Sequence, residues 1–438
     1  MKKYKMGLAS ISTVFAAMIC MAVGSEALAA DGPAGPDIEF IFNTLLFLVM
    51  GMVVMFMAAG FCMLEAGMVR SKNAATICMK NITIFSIASV MVWLVGYNLI
   101  YGVDEGGWVG TLSLWTADDS QALDTGYAAS ADWFFQMVFV ATAASIVSGT
   151  LAERVRLWPF FLFTILLTGF IYPIQASWEW GGGWLDARYA FSDFAGSTLV
   201  HATGGWAALA GALALGPRVG KYGPNGDINR FHGSSMPLAT LGVFILWLGW
   251  FGFNGGSQLA LGSLDDSIAV SNIFVNTNMA AATGVLTVVV LCTLLKRKID
   301  LGLVLNGAIG GLVSITAEPL MPQVWQAAVI GSVGGGIIFV TTPLLERMRI
   351  DDVVGAIPAH LFCGIWGTMI VPVTNGDASF VGQSVGVMAN GIFVFTISLV
   401  AWFFLKFVIG IRASAEEEEA GLDDAEVGVP AYPDFVRS

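Results

Sequence analysis

Asp193-Phe-Ala-Gly196-Ser-Thr-Leu-Val-His201-Ala-Thr-Gly-Gly205 recurs as Asp352-Val-Val-Gly355-Ala-Ile-Pro-Ala-His360-Leu-Phe-Cys-Gly364, with Asp, Gly, His and Gly at one spacing. Each copy opens an apolar segment, and each Asp stands where a helix begins. The default role for an acid there is an N-cap favoured by the helix dipole. Eight residues at 1.5 Å per residue carry each His about 12 Å into a hydrocarbon core ~30 Å thick. One segment runs inward and the other outward, so the two depths are measured from opposite sides. The imidazoles are therefore expected to meet near the midplane, as in membrane folds built from inverted repeats.

The rest of the chain fits a membrane setting. It has 438 residues, a mean hydropathy of +0.76, 56% hydrophobic residues and 12% charged ones. Soluble domains carry about 25% charge, and a large soluble core would not need run after run of ~20 almost uncharged residues. Eleven such segments are expected, at 40–68, 76–102, 132–152, 157–177, 194–215, 236–254, 271–294, 302–318, 325–345, 353–373 and 386–410. The segment at 302–318 is the shortest. The expected fold is an all-α membrane protein of eleven helices, with halves at 40–215 and 236–373 related by inversion and a last helix at 386–410. Residues 31–411 form this domain, and 412–438 form a tail. Fifty-two glycines suit closely approaching membrane helices.

Residues 1–30 read as a secretory signal peptide: Lys2, Lys3 and Lys5, then an apolar stretch, then Ala27-Leu28-Ala29. The alternative is an uncleaved first membrane helix. Either way Asp31 emerges outside. Of twenty Lys and Arg, three lie in this leader and only Arg188 falls in an expected outer loop. Arg70, Lys72, Arg154, Arg156, Arg218, Lys221, Arg230 and the rest flank alternate loops or the tail. The positive-inside rule then places the amino terminus outside and the carboxyl terminus in the cytoplasm.

The net charge of −12 comes from acidic loops and an acidic tail, and no basic patch suggests nucleic acid. Cys20, Cys62, Cys78, Cys292 and Cys363 have no paired spacing, so neither a disulfide framework nor a metal site is expected. Cys363 follows His360 by three residues, but nothing comparable accompanies His201. No cofactor is implied. His232 reads as a surface residue. His201 and His360 are costly inside a membrane segment and point to a cavity or to each other; the bland alternative is a hydrogen bond that merely joins two helices. Aromatic clusters occur at Phe135-Gln136 with Phe139, at Trp178-Glu179-Trp180-Gly181-Gly182-Gly183, and at Trp250-Phe251-Gly252-Phe253-Asn254-Gly255-Gly256-Ser257. Each alone reads as core or interfacial belt as readily as ligand.

Together these motifs resemble the ammonium transporter (Amt) family of the Amt/Mep/Rh superfamily, from about residue 38 to Tyr432. The resemblance implies a homotrimer of eleven-helix subunits, each with its own pore, in the cell's inner membrane. It implies an outer ammonium site of Phe139, Trp180 and Ser257 supported by Asp193. It also implies a gate of Phe139 and Phe253, and a pore lined by His201 and His360 with Trp250. A PII-type signal protein is the implied partner at the cytoplasmic face. Relatives often carry His-Gly-Glu after the Gly-Leu-Asp run of the tail, where this chain reads Val427-Gly428-Val429, a departure that bears on that coupling. The acidic run Glu416–Glu419, taken alone, reads as a solvated linker.

The physics of an apolar pore fits those roles. A cation–π contact of about 0.5–2 kcal/mol holds an ammonium at a mouth, while an isolated charge cannot be buried so cheaply. Desolvation lowers the pKa of an ammonium, so the proton leaves near the gate and neutral ammonia passes. Sodium and potassium have no proton to give up. The rival expectation is an ammonium sensor signalling through a PII-type partner, although 412–438 contains no output domain. An enzyme is not expected, since no nucleophile–base pair, metal cluster or phosphate loop is present.

Overall fold

Ten helices among the described residues are long and apolar enough to cross a membrane, and an eleventh apolar helix is shorter. The computed structural model describes residues 35–296 and 298–433, so the expected leader at 1–30 lies outside them. In chain order the spans are α1 (Gly35–Met68), α2 (Ser71–Tyr101), α3 (Ala129–Thr150), α4 (Leu157–Ser177), α5 (Ser197–Leu215) and α6 (Met236–Gly256). They continue as α7 (Leu264–Leu295), α8 (Leu301–Ile315), α9 (Val324–Arg347), α10 (Ile357–Thr374) and α11 (Phe380–Val408). No β-strand forms among the described residues, only two isolated bridges. All eleven expected segments are helical.

The shortest, α8, has 15 residues and so extends ~22 Å. Almost all of it from Leu303 to Ile315 is buried, so protein rather than lipid surrounds it and a full span is not required.

Helices in matching positions of the two halves pair. α1 packs chiefly against α6, and α5 crosses α10. Gly60 and Gly67 of α1 face Leu246 and Ala239, while Gly242 and Gly249 of α6 face Leu64 and Met57. Small residues on both partners let the backbones approach, where lipid offers no hydrophobic drive to association. Outward, α1 exposes Phe42, Leu45, Met52 and Phe56, and α6 exposes Leu241, Phe244 and Leu248. Only an apolar medium or a further apolar surface accommodates such rows.

The connections α3–α4, α5–α6 and α9–α10 meet the tail on one face, held by buried charge. Arg154 is fully buried and donates to the carbonyls of Thr150, Ala152, Gly216 and Asp351 at 2.7–3.1 Å. Arg218 donates two bonds of 2.9 Å to the Asp351 carboxylate and pairs with Glu153 at 3.2 Å. Burial alone would raise the Asp351 carboxyl, but the Arg218 hydrogen bonds and the charges of Arg154 and Arg218 hold it well below the usual carboxylate range. A depressed acid stabilises the fold fully above its ordinary value, near 4, and loses that contribution only as pH falls through the lower folded value. Acidification to about pH 4 is therefore expected to leave the Arg218–Asp351 pair intact, read as unchanged hydrogen exchange at the Arg218 amide, which donates to the same carboxylate. Asp351→Asn is expected to lower stability by about 3 kcal/mol, because buried guanidiniums lose their carboxylate; thermal unfolding in detergent checks it.

The tail is not a solvated linker. Residues Ala415–Ala420 form a helix, α12, opened by a Ser414–Glu417 capping box. Glu418 is buried and accepts from Val219 N at 2.6 Å and Arg412 at 2.8 Å. Asp423 accepts from the amides of Ala75 and Thr76 at 3.0 and 2.7 Å, and Glu426 accepts from Leu157 N at 3.0 Å. Tail carboxylates thus cap the starts of α2 and α4, satisfying amides that a helix start leaves without partners. The acidic composition serves docking rather than solvation. Asp423→Ala is expected to loosen the tail by about 1–2 kcal/mol, read as faster amide exchange in 413–433 with α1–α11 unchanged.

Candidate functional site

Each residue of the repeated motif has a structural task. The Asp193 carboxylate accepts four backbone amides, from Gly196, Ser197, Thr198 and Leu199, at 2.7–3.2 Å. Asp352 does likewise with Gly355 and Ile357 at 3.1 and 2.7 Å, and also takes the Thr150 hydroxyl at 3.0 Å. Gly196 and Gly355 follow in the left-handed region, with φ of 103° and 79°, where a side chain would be strained. Both helices then begin with a π-helical turn, Ser197–Ala202 and Ile357–Phe362, and each turn carries its histidine. The final glycines lie where the helices cross: a Cβ on Gly205 would sit 2.7 Å from Leu361 N. One on Gly364 would strike the Ser197 carbonyl.

This crossing brings His201 and His360 together. Their Nδ1 atoms are 3.3 Å apart, their rings 5.3 Å apart at 30°, and they are 0% and 2% exposed. His201 Nε2 is buried with no hydrogen-bond partner. His201 also stacks on Trp250 at 4.9 Å and on Phe253 at 5.2 Å, while Phe61 lies 6.0 Å from His360. Trp250 is held by a 2.8 Å bond from Nε1 to the Thr316 hydroxyl.

On the side away from the tail, Phe253 stacks on Phe139 with centroids 4.0 Å apart. Phe139 meets Trp180 edge-on at 6.1 Å and Phe135 at 4.9 Å. Trp180, half-buried, donates Nε1 to the Asp193 carbonyl at 3.1 Å. Ser257 closes α6, its hydroxyl on the Phe253 carbonyl at 2.8 Å. The layers therefore run from Trp180 through Phe139 and Phe253 to His201 and His360. Asp193 reaches the mouth through its backbone, since its carboxylate is committed to the start of α5. Trp178 is buried among Trp184 and Phe393, with Nε1 on the Trp108 carbonyl, and belongs to the scaffold.

His232 lies exposed on the tail face, away from the paired imidazoles. Among the described residues no group of three or more His, Cys, Asp or Glu is arranged to hold a metal. Three contributors to the site escape sequence reasoning. Thr316 is one of many threonines, Phe61 one of thirty phenylalanines, and Asp132 is a lone acid that receives Tyr97 and Gln136 beside the aromatic stack. Only an acid inside an apolar segment, as Asp132 is, gives a local signal.

A profile of the Ammonium Transporter Family matches residues 45–432. The chain belongs to the ammonium transporter family. Ammonium transporter Amt2 of Archaeoglobus fulgidus is 41% identical over 442 residues, covering 94% of this chain and 92% of that protein. Ammonium transporter Amt2 of Methanocaldococcus jannaschii is 33% identical, covering 88% and 90%. Among solved structures, one described as a Sensor Amt Protein superposes with a TM-score of 0.84 at 34% identity, covering 89% of this chain and 99% of that one. Mep2 of Candida albicans superposes at 0.78 and 25% identity, covering 88% and 89%. Ammonium transporters are channels or carriers rather than enzymes, and this member is a multi-pass membrane protein.

Proposed function

We propose that the chain recruits ammonium at Trp180, Phe139 and Ser257, strips its proton at the Phe139–Phe253 gate and conducts ammonia past His201, His360 and Trp250. The contact between two buried imidazoles beneath a stacked phenylalanine pair is the observation that carries this reading. An aromatic mouth attracts a cation, but the layer beneath it has no fixed charge to replace lost water, so the ion cannot proceed intact. Neutral imidazoles donate or accept a hydrogen bond to ammonia and offer the released proton a path. Asp193 fixes Trp180 through its backbone carbonyl while its carboxylate holds the start of α5.

In this reading Trp180 faces outside and the tail face is cytoplasmic, in accord with the bias of Lys and Arg toward that face. The protein sits in the inner membrane as a homotrimer with one pore per subunit, and a PII-type protein docks on the tail face. The membrane domain comprises 31–411 as two inverted halves and a last helix, with a cleavable leader at 1–30. Uptake of radiolabelled methylammonium into proteoliposomes tests the reading. Saturable uptake blocked by ammonium, with no sodium or potassium current, is expected. Binding without flux overturns it.

A further inference from the structure

We propose that Glu65 is a proton-accepting station on the tail side of His360, a role that rests on the proton-releasing reading above. Glu65 lies one turn from the end of α1 and is 1% exposed. Its Oε2 accepts the Ser148 hydroxyl at 2.6 Å, whereas Oε1 is buried with no hydrogen-bond partner. The Ser148 carbonyl accepts Lys80 Nζ at 2.9 Å. Lys80 is also 1% exposed and sits 5.1 Å from the Phe160 ring. Ser148 thus stands between a buried cation and a buried carboxylate and leaves one carboxylate oxygen uncommitted.

A small cavity joins that carboxylate to His360. It measures about 10 Å³ and is lined by Glu65, Ser145, Asn306, Val354, His360 and Phe61 among others. That volume is about one water. Asn306 and Val354 also line a larger cavity of about 340 Å³, which reaches Arg218, Arg230 and His232 on the tail face. Glu65 is the one ionisable group that shares the small cavity with His360.

A buried carboxylate oxygen left unsatisfied costs about 1–3 kcal/mol, a cost that a purely structural role does not require. An uncommitted oxygen beside a water-sized space is instead suited to receive a proton. The proton released by ammonium passes from His201 to His360 and through a single water to Glu65 Oε1. Glu65 becomes a carboxylic acid and the imidazole returns to neutral. The acid then gives the proton to water in the larger cavity, where ammonia leaving the pore recombines with it, and the carboxylate is restored. Lys80 keeps its proton throughout and offsets the carboxylate charge.

Proteoliposomes on a solid-supported membrane read the proton-coupled current. Glu65→Gln, similar in shape but unable to take up the proton, is expected to lower the ammonium-elicited current at least ten-fold at unchanged half-saturating ammonium. Glu65→Asp is expected to recover most of it. A Glu65→Gln current within two-fold of the parent overturns the proposal, as does a folded Glu65→Asp no better than Glu65→Gln. Infrared difference spectra of the parent protein on ammonium addition supply a measurement that needs no Glu65→Gln protein. A carboxylic-acid stretch that appears and shifts in Glu65→Asp is expected; its absence overturns the proposal. A parent protein that takes up methylammonium without any current overturns the proposal alone, whereas one with no uptake at all refutes the transport reading instead.

Discussion

His201→Ala and His360→Ala are each expected to lower selective methylammonium uptake by about 100-fold, the low end of what a positioned proton-transfer group contributes. Either substitution removes one ring of a pair in contact at 3.3 Å and opens a gap beneath the Phe253 ring. Water entering that gap would replace the dry stretch with a hydrated one, where a cation no longer needs to lose its proton. Current carried by potassium is therefore expected to rise as selective uptake falls. Uptake assays paired with bi-ionic current measurements check both arms. Unchanged rate and selectivity in both variants would make the pair a helix–helix fastening only.

Asp193→Ala is expected to have the largest effect on the fold. It leaves four amides at the start of α5 without their acceptor, in a setting where no water replaces it. At about 1–3 kcal/mol per orphaned group, the loss is about 4 kcal/mol or more, enough to empty the membrane of folded protein. Asp193→Asn keeps one acceptor oxygen and is expected to fold with a lowered melting temperature and weakened ammonium binding, because Trp180 hangs from the same residue through its carbonyl. Size-exclusion profiles in detergent and binding isotherms separate the two. A monodisperse Asp193→Ala protein with normal affinity would show that the carboxylate is dispensable.

How much of this was legible depends on how local each signal is. Helical spans announce themselves by apolar length, and a motif that recurs at one spacing in two segments of opposite direction is enough to bring His201 and His360 together. The aromatic layers were legible through family resemblance, because abundance hides them: Phe253 and Phe251 are equivalent by composition, yet only Phe253 stacks on Phe139. The tail was misread because its caps act at a distance. Asp423 closes a helix start some 348 positions away, and nothing near it in the chain says so. Lys80 was hidden differently, counted with the charges that flank one face although it is buried against Ser148. The α8 boundary moved because a helix wrapped in protein is not bound to the bilayer's thickness.

The wide turns at Ser197–Ala202 and Ile357–Phe362 have one more consequence. Such a turn accommodates an extra residue relative to a regular helix, and each residue of a regular helix advances about 100° around the axis. Deleting Thr198 alone would return that stretch to ordinary winding, in which four residues complete the circuit that five complete between Gly196 and His201 (His201 N to Gly196 O, 2.9 Å), so the His201 ring is expected to keep its bearing. Each wide turn thus takes up one residue more than a regular turn without rotating the helix that follows, and it does so at the same place in both halves.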